Sequence, residues 1–355
     1  MSQPVPLADC LAADAAALLR ELAAAGAPTP PNLCRGELLQ AVRALRLDRG
    51  EPVGVAGALD LLPEGFGFVR SPAGDFAASP HDAFVAPSQV QAFNLKHGQW
   101  LAGPLRAPRG AERFFGLARI DATNGAPPEQ LAARVAFAAR TIAPALRPLG
   151  GVPGADWRRG ERVLLLAPLG APTHRWLAAA AVDLAAATPP LRVRACLLDQ
   201  RPEDLAAAKA TAGAAVELVG TTFDAPPERH VALADLVLAR CLREVEAGAD
   251  VVLLFDGLTT LALAAQRALP SSGRWICPGL DAQAAQPGKR LFAAARACAE
   301  GGSLTVVALA ADGGSSAVEA AVRDDLARRA HNVAARGAGD GPAAPTLTRR
   351  GDGAL

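Results

Sequence analysis

The stretch Gly65-Phe66-Gly67-Phe68-Val69-Arg70 reads as a strand with an unusual outer row. Side chains alternate across a strand, so Phe66, Phe68 and Arg70 share one face. Aromatic rings in such a row form a platform on which unpaired bases can stack, at roughly 1–3 kcal/mol per base. Gly65 and Gly67 keep the neighbouring positions small enough for close approach. Arg70 can pair with a phosphate or stack on a ring. A Phe-x-Phe pair in a strand is more often core than platform. The interleaved glycines, within a pattern of five short strands, favour the platform.

That pattern runs outward from the stretch. Between Pro52 and Ile120, β-like runs alternate with turn residues: Ala58–Leu62, Gly65–Arg70, Ala83–Ala86, Gln99–Leu105 and Arg113–Ile120. Strands at roughly ten-residue spacing predict a small barrel. The region 53–120 holds six basic and five acidic residues, so any RNA affinity there rests on stacking and local contacts.

On the N-terminal side, 7–25 and 33–47 read as two helices, the first ended by Gly26 and by Pro28, Pro30 and Pro31. They make a small cap over residues 1–52. Residues 121–154 are rich in Pro, Gly and Ala and read as a linker, with a helical patch near 130–140. From Gly160 the character changes again. Val163–Ala167, Val193–Leu198, Val251–Asp256 and Leu304–Leu309 are unbroken apolar runs, separated by helical patterns such as 175–187 and 230–247. Buried strands alternating with helices predict a parallel sheet covered on both faces, over residues 155–335. The last stretch, 336–355, lacks periodicity and reads as disordered.

Composition removes several classes of function. Of the 36 basic residues only Lys96, Lys209 and Lys289 are lysines, and the formal net charge is +1. That excludes bulk electrostatic binding of nucleic acid and an acidic tail protein. The six cysteines, at 10, 34, 196, 241, 277 and 298, form no C-x-x-C pair, so zinc and disulfide scaffolds have no support. Ordinary reduced thiols and a cytoplasmic location are expected. No apolar run approaches the roughly 18–20 residues that span a bilayer, and the N-terminal stretch reads as neither signal nor anchor. His81, His97, His174, His230 and His331 have no metal-ligand spacing; His230 reads as a helix start and the others as surface or loop residues. No metal site is expected.

With these runs in view, the chain resembles a known family. Glu64 through Ser71, Val85-Ala86-Pro87-Ser88-Gln89-Val90 with Phe93-Asn94-Leu95, and Glu112-Arg113-Phe114-Phe115 look like the cold-shock-type RNA-binding domain of bacterial transcription termination factor Rho. The likeness continues, in one colinear order over roughly 33–320, through Asp199-Gln200-Arg201-Pro202-Glu203-Asp204. It then takes in Thr222-Phe223-Asp224-Ala225-Pro226 with Arg229-His230, Asp256 at a strand end, and Glu300-Gly301-Gly302-Ser303-Leu304-Thr305.

The resemblance implies an α+β multidomain chain: a helical cap, an OB/cold-shock-type barrel and a RecA-like P-loop α/β domain with a parallel sheet, assembled in the family as a hexameric ring. RNA contacts carried over by position fall on Gly65, Phe66, Gly67, Phe68, Val69, Arg70, Asp82, Phe84, Glu112, Arg113 and Phe114. Phe84 and Phe114 stand where the family commonly has Tyr, which keeps the stacking face and loses a hydroxyl.

The nucleotide site departs further. A P-loop, G-x-x-x-x-G-K-[ST], cradles phosphates with backbone N–H groups, neutralises charge with its Lys and holds magnesium with its hydroxyl. After the strand Val163–Pro168 this chain reads Leu169-Gly170-Ala171-Pro172-Thr173-His174-Arg175. Pro172 stands at the Gly position and has no N–H. Thr173 stands at the Lys position and His174 at the hydroxyl position; a one-residue shift would bring Thr173 to the metal. Arg175 is a poor local substitute for an ammonium. Gln200 replaces the Glu that orients water, and an amide is no general base at neutral pH. Asp256 keeps the acidic strand end. The nucleotide-binding remnant is thus Gly170, Thr173, His174, Arg175 and Arg201, and ATP and magnesium are expected only if it still works.

The family's pore loop corresponds to Ser272–Gly279, where Arg274 keeps a charge but Trp275 and Pro278 depart. The trans-acting arginine finger has no counterpart after Ala330. Three readings stand open. The first is a single-stranded RNA-binding protein that has lost ATP hydrolysis and acts in termination or its regulation, with RNA polymerase or an intact Rho as partner. The others are an active RNA-dependent ATPase/helicase with a non-standard P-loop and a structural paralogue without RNA function.

Overall fold

In the barrel strands β-branched and aliphatic residues point inward while Phe68 and Phe84 point outward, and this alternation organises the barrel. The computed structural model describes residues 15–27, 35–110, 112–149, 156–168, 170–187, 191–335 and 346–349. It divides into two units, Met1–Arg134 and Val135–Leu355. Cys10 and Cys34, the helix starts expected at 7 and 33, the proline-rich stop at 28–31, Leu169 and most of the tail lie outside the described residues.

In the first unit, α1 (Ala15–Ala24) and α2 (Arg35–Asp48) pair through Leu18, Leu22, Leu38, Leu39 and Val42. Arg46 on α2 donates to Glu21 on α1 at 2.6 Å. The barrel strands are β1 (Gly54–Leu61), β2 (Gly67–Arg70), β3 (Ala83–Val85), β4 (Trp100–Arg106) and β5 (Gly116–Leu117). They close in the order β1-β2-β3-β5-β4, with β4 returning to β1. The helix α3 (Pro87–Ala92) follows β3, and β6 (Ala122–Thr123) extends β4. Val55, Leu59, Val69, Val85, Leu101, Leu105, Phe115 and Leu117 fill the interior. Each such side chain contributes on the order of 1.5–3 kcal/mol by leaving water. Of the strand expected at Arg113–Ile120, only Gly116–Leu117 pairs.

In the second unit a parallel sheet is built from β7 (Arg162–Ala167), β8 (Arg192–Gln200), β9 (Glu217–Thr222), β10 (Asp250–Asp256), β14 (Ser303–Ala311) and β15 (Asn332–Ala335). The order is β15-β7-β14-β10-β8-β9, and every one of these neighbours is parallel. The short β13 (Arg296–Ala297) runs antiparallel beside β14. Val163, Leu165, Val252, Leu254, Val307 and Leu309 pack on α4 (Thr173–Ala187) and α5 (Pro202–Ala212). Residues of the opposite parity, among them Leu164, Leu253, Phe255 and Val306, are fully buried too. Both faces are therefore covered, as the unbroken apolar runs require. The remaining helices are α6 (Pro227–Glu246), α7 (Leu258–Ala268), α8 (Gln286–Ala293) and α9 (Ala317–Ala327), with a hairpin of β11 (Trp275–Cys277) and β12 (Leu280–Asp281) after α7.

Two expectations need correction. Within the stretch read as a linker, the segment from Phe137 to Ile142 is tied to the second unit. The Phe137 N–H donates to Glu246 on α6 at 2.7 Å, Arg140 donates to the carbonyls of Glu246 and Gly301, and Ile142 bridges to Cys298. The tail is not wholly without structure: β16 (Thr346–Arg349) pairs antiparallel with β15. No described helix is long and apolar enough to cross a membrane.

Candidate nucleic-acid interface and nucleotide cavity

β2 and β3 lie antiparallel with Phe68 directly opposite Phe84, and β5 follows beside β3. Because Val69, Ala83, Val85 and Phe115 take the inward positions, Phe68, Phe84 and Phe114 are turned to the outer face. Phe66 joins them from the turn before β2. The four rings make one cluster: Phe66 to Phe84 at 5.6 Å, Phe66 to Phe68 at 6.0 Å, Phe68 to Phe84 at 6.0 Å and Phe68 to Phe114 at 4.9 Å. Most contacts are edge-to-face, which suits the ring quadrupole. All four rings are half-buried, largely by one another, and none belongs to the barrel interior.

Arg70 departs from the expectation of an open phosphate partner. It is buried, with its guanidinium held by Asp60 through two hydrogen bonds at 2.8 and 3.0 Å and by Asp82 through another. It also stacks on Phe68 at 5.0 Å from the ring centre. Asp82 takes the Ser79 N–H at 2.6 Å, and burial pushes its carboxyl above the usual range against the pull of these partners. Gly67 serves packing: a Cβ there would lie 2.7 Å from the Asp60 carbonyl and 2.7 Å from Leu59. Glu112 accepts from the Arg106 guanidinium and the Arg109 N–H, which draw its carboxyl down to about 2. Arg113 is exposed beside it, and Gly65 turns the chain into β2 at φ +88°. Asp60 went unnoticed in the sequence; its signal is an acidic residue opposite Phe68 in register, visible only once β1 and β2 are paired.

The second site lies at the carboxyl ends of β7, β8 and β10, where open α/β sheets bind ligands. A cavity of about 450 Å³ is lined there by Gly170, Pro172, Thr173, His174, Arg175, Gln200, Arg201 and Asp256, among others. The Thr173 hydroxyl donates to Asp256 at 2.6 Å, so the register-shifted hydroxyl does face the acidic strand end. Asp256 is buried, and desolvation raises its carboxyl to about 6 despite that bond. Gly257 follows at φ +126°, a conformation closed to other residues, and starts α7.

Several of the loop's amides are bonded within it. The Ala171 N–H bonds to the Pro168 carbonyl, the Thr173 N–H to Ala171 and the Arg175 N–H to Pro172, while Pro172 has none. These amides cannot also cradle a phosphate. Gln200 donates back to the Leu198 carbonyl at 2.8 Å. His174, expected at the surface, is buried; its Nε2 lies 3.3 Å from Asp204 without an aligned hydrogen bond, and desolvation lowers its pKa. His230 is buried as well, bonded to Thr221 at 2.6 Å. Arg175 and Arg201 stand exposed at the rim, so the cavity's cationic charge lies outside and its carboxylates include the buried one. A triphosphate with magnesium would meet a changed site here: Thr173 stands where a P-loop has its lysine, Pro172 offers no N–H, and the cavity's positive charge comes from the exposed Arg175 and Arg201. No group of three or more potential ligands stands together among the described residues.

Residues 55–129 match the family model of the Rho termination factor, RNA-binding domain. The transcription termination factor Rho of Chromobacterium violaceum is 35% identical over 302 residues, 79% of this chain and 70% of that one. That of Pseudomonas fluorescens is 37% identical over 276 residues, covering 74% and 65%. That of Neisseria gonorrhoeae is 35% identical over 291 residues, covering 77% and 68%. With a barrel, a ring cluster and a parallel sheet in the expected order and relatives at this identity, the chain belongs to the transcription termination factor Rho family.

Proposed function

We propose that this chain is a single-stranded RNA-binding protein of the Rho family that acts in transcription termination or its regulation without hydrolysing ATP. The observation that carries the RNA half is the outward cluster of Phe66, Phe68, Phe84 and Phe114 on the barrel. Bases can stack on these rings whatever their sequence, and Arg113 at the edge can meet a phosphate. Arg70 acts beneath them: held by Asp60 and Asp82, it fixes the Phe68 ring from behind.

The loss of hydrolysis rests on Pro172, on the loop amides bonded within the loop, and on Gln200 in place of a general base. Each missing element removes several kcal/mol of transition-state stabilisation in phosphoryl transfer, of the order of 3 kcal/mol apiece. The chain works in the cytoplasm and reaches termination through RNA polymerase or an intact Rho.

The deciding experiment measures RNA binding and RNA-stimulated phosphate release by the purified chain. Binding that is lost on Phe66→Ala with Phe68→Ala, with no phosphate release above background, is the expected result. One observation favours a second reading, an active enzyme with a shifted P-loop: the Thr173–Asp256 pair. Phosphate release abolished by Asp256→Ala would establish it and overturn the proposal.

A further inference from the structure

Helix α2 of the cap meets the barrel at the turn before β3, and that turn carries Asp82. Arg43 on α2 is 1% exposed, and its guanidinium donates to the His81 carbonyl at 2.7 Å. One turn earlier, the Gln40 side chain donates to the Pro80 carbonyl at 2.6 Å. Gly36 completes the seam: a Cβ there would lie 2.1 Å from the His81 imidazole, so glycine lets the helix come this close. Positions 36, 40 and 43 recur at helical spacing, so one face of α2 grips the turn. Leu38, Leu39 and Val42 of the same helix pack on α1 instead. Packing alone would call for an aliphatic residue at 43, because a guanidinium is costly to bury unless its donors are met.

The turn sets the ring face. Within it the Asp82 N–H bonds to the Ser79 carbonyl at 3.1 Å, and the His81 N–H to the Ser79 hydroxyl at 3.1 Å. One oxygen of Asp82, Oδ2, accepts both the Ser79 N–H, at 2.6 Å, and the Arg70 guanidinium. Arg70 in turn lies 5.0 Å from the centre of the Phe68 ring. Burial raises the Asp82 carboxyl, and the Arg43 charge is among the groups that draw it back. We propose that Arg43 is a positioning residue for RNA binding: through the turn Ser79–Asp82 it fixes Asp82 and Arg70, and with them the Phe68 ring. The inference rests on the reading that the ring cluster binds RNA.

Fluorescence anisotropy on the full chain tests it, with a labelled single-stranded oligopyrimidine RNA as probe and thermal melts to confirm that each variant is folded. Arg43→Met should weaken binding roughly fivefold, the scale of one hydrogen bond. Gln40→Ala, at a half-buried position, provides a second variant should the first fold poorly, and should weaken binding about twofold. In a Phe68→Ala background, which keeps the other three rings, Arg43→Met should have no further effect. Arg46→Met, which removes the pair with Glu21 elsewhere on α2, should leave RNA affinity unchanged. A lowered Tm with unchanged affinity for Arg43→Met and Gln40→Ala would overturn the inference and leave RNA binding standing. So would an equal loss in the Phe68→Ala background, or an equal loss from Arg46→Met. A wild type that binds no RNA would overturn the proposed function and this inference together.

Discussion

The ring face of the barrel and the cavity of the parallel sheet descend from the same family, yet they have fared differently. On the barrel, Phe66, Phe68, Phe84 and Phe114 keep a stacking cluster, and the two departures from Tyr spare the rings. In the cavity, the strand β7 and the helix α4 persist, while Pro172 and Thr173 stand where a P-loop has its glycine and lysine. The strand lattice needs only alternation to aim a ring outward, and the rings help bury one another. A P-loop depends on free backbone amides and on one lysine, so Pro172 and two neighbouring changes alter its chemistry while the sheet beneath stays packed. Fold and site are separable wherever the site's chemistry is not also its packing.

The comparison can be broken most directly at the rings. Phe66→Ala with Phe68→Ala should weaken single-stranded RNA binding by roughly thirtyfold or more, at about 1–3 kcal/mol per ring, in a fluorescence-anisotropy titration. Retained affinity would return the cluster to a packing role. On the cavity side, Asp256 is tested through pH. Its folded carboxyl, raised by burial to about 6 from 3.8, binds protons more tightly folded than unfolded. Its contribution is therefore fully present below about pH 4 and lost as pH rises through about 6. The shift corresponds to about 3 kcal/mol. Denaturant unfolding of the wild type minus that of Asp256→Asn should show this loss between pH 4 and 7; a flat difference would mean that the carboxylate is stabilised by groups other than Thr173.

A smaller effect is expected at Asp82. Asp82→Ala removes a partner of Arg70 and of the Ser79 N–H. Leaving such groups unmet costs about 2 kcal/mol, read as a lowered Tm of the barrel. An RNA affinity that falls further than the loss of folded protein explains would place Asp82 on the RNA itself. The smallest change is Phe84→Tyr, which restores a hydroxyl at the edge of the ring cluster. One added hydrogen bond is worth about 1 kcal/mol, or roughly a fivefold gain in RNA affinity.

Much of this was legible in the chain. Period-two alternation around Phe68 and the unbroken apolar runs ending at Ala167 and Asp256 reported their strands, because local side-chain direction follows from backbone type alone. Pro172 and Gln200 marked the departures from a P-loop ATPase pattern by residue type. Other features depend on pairings between distant residues. Arg70 meets carboxylates ten and twelve residues away only after β1, β2 and the turn before β3 come together. Phe137 finds Glu246 across 109 residues, which turned an apparent linker into a docked segment. His174 looked like a loop residue until α4 and α5 enclosed it.

The sequence by itself determined the order of barrel and sheet, the aromatic row and the absence of a phosphate-binding lysine. These are local facts, carried by alternation and by residue chemistry. Tertiary structure alone decided that Gly67 serves packing, that Arg70 is a buried support, and that Thr173 reaches Asp256. It also decided that Asp256 is buried in the cavity while Arg175 and Arg201 are exposed. Each of these is a distance between residues far apart in the chain, and such distances exist only once the core has closed.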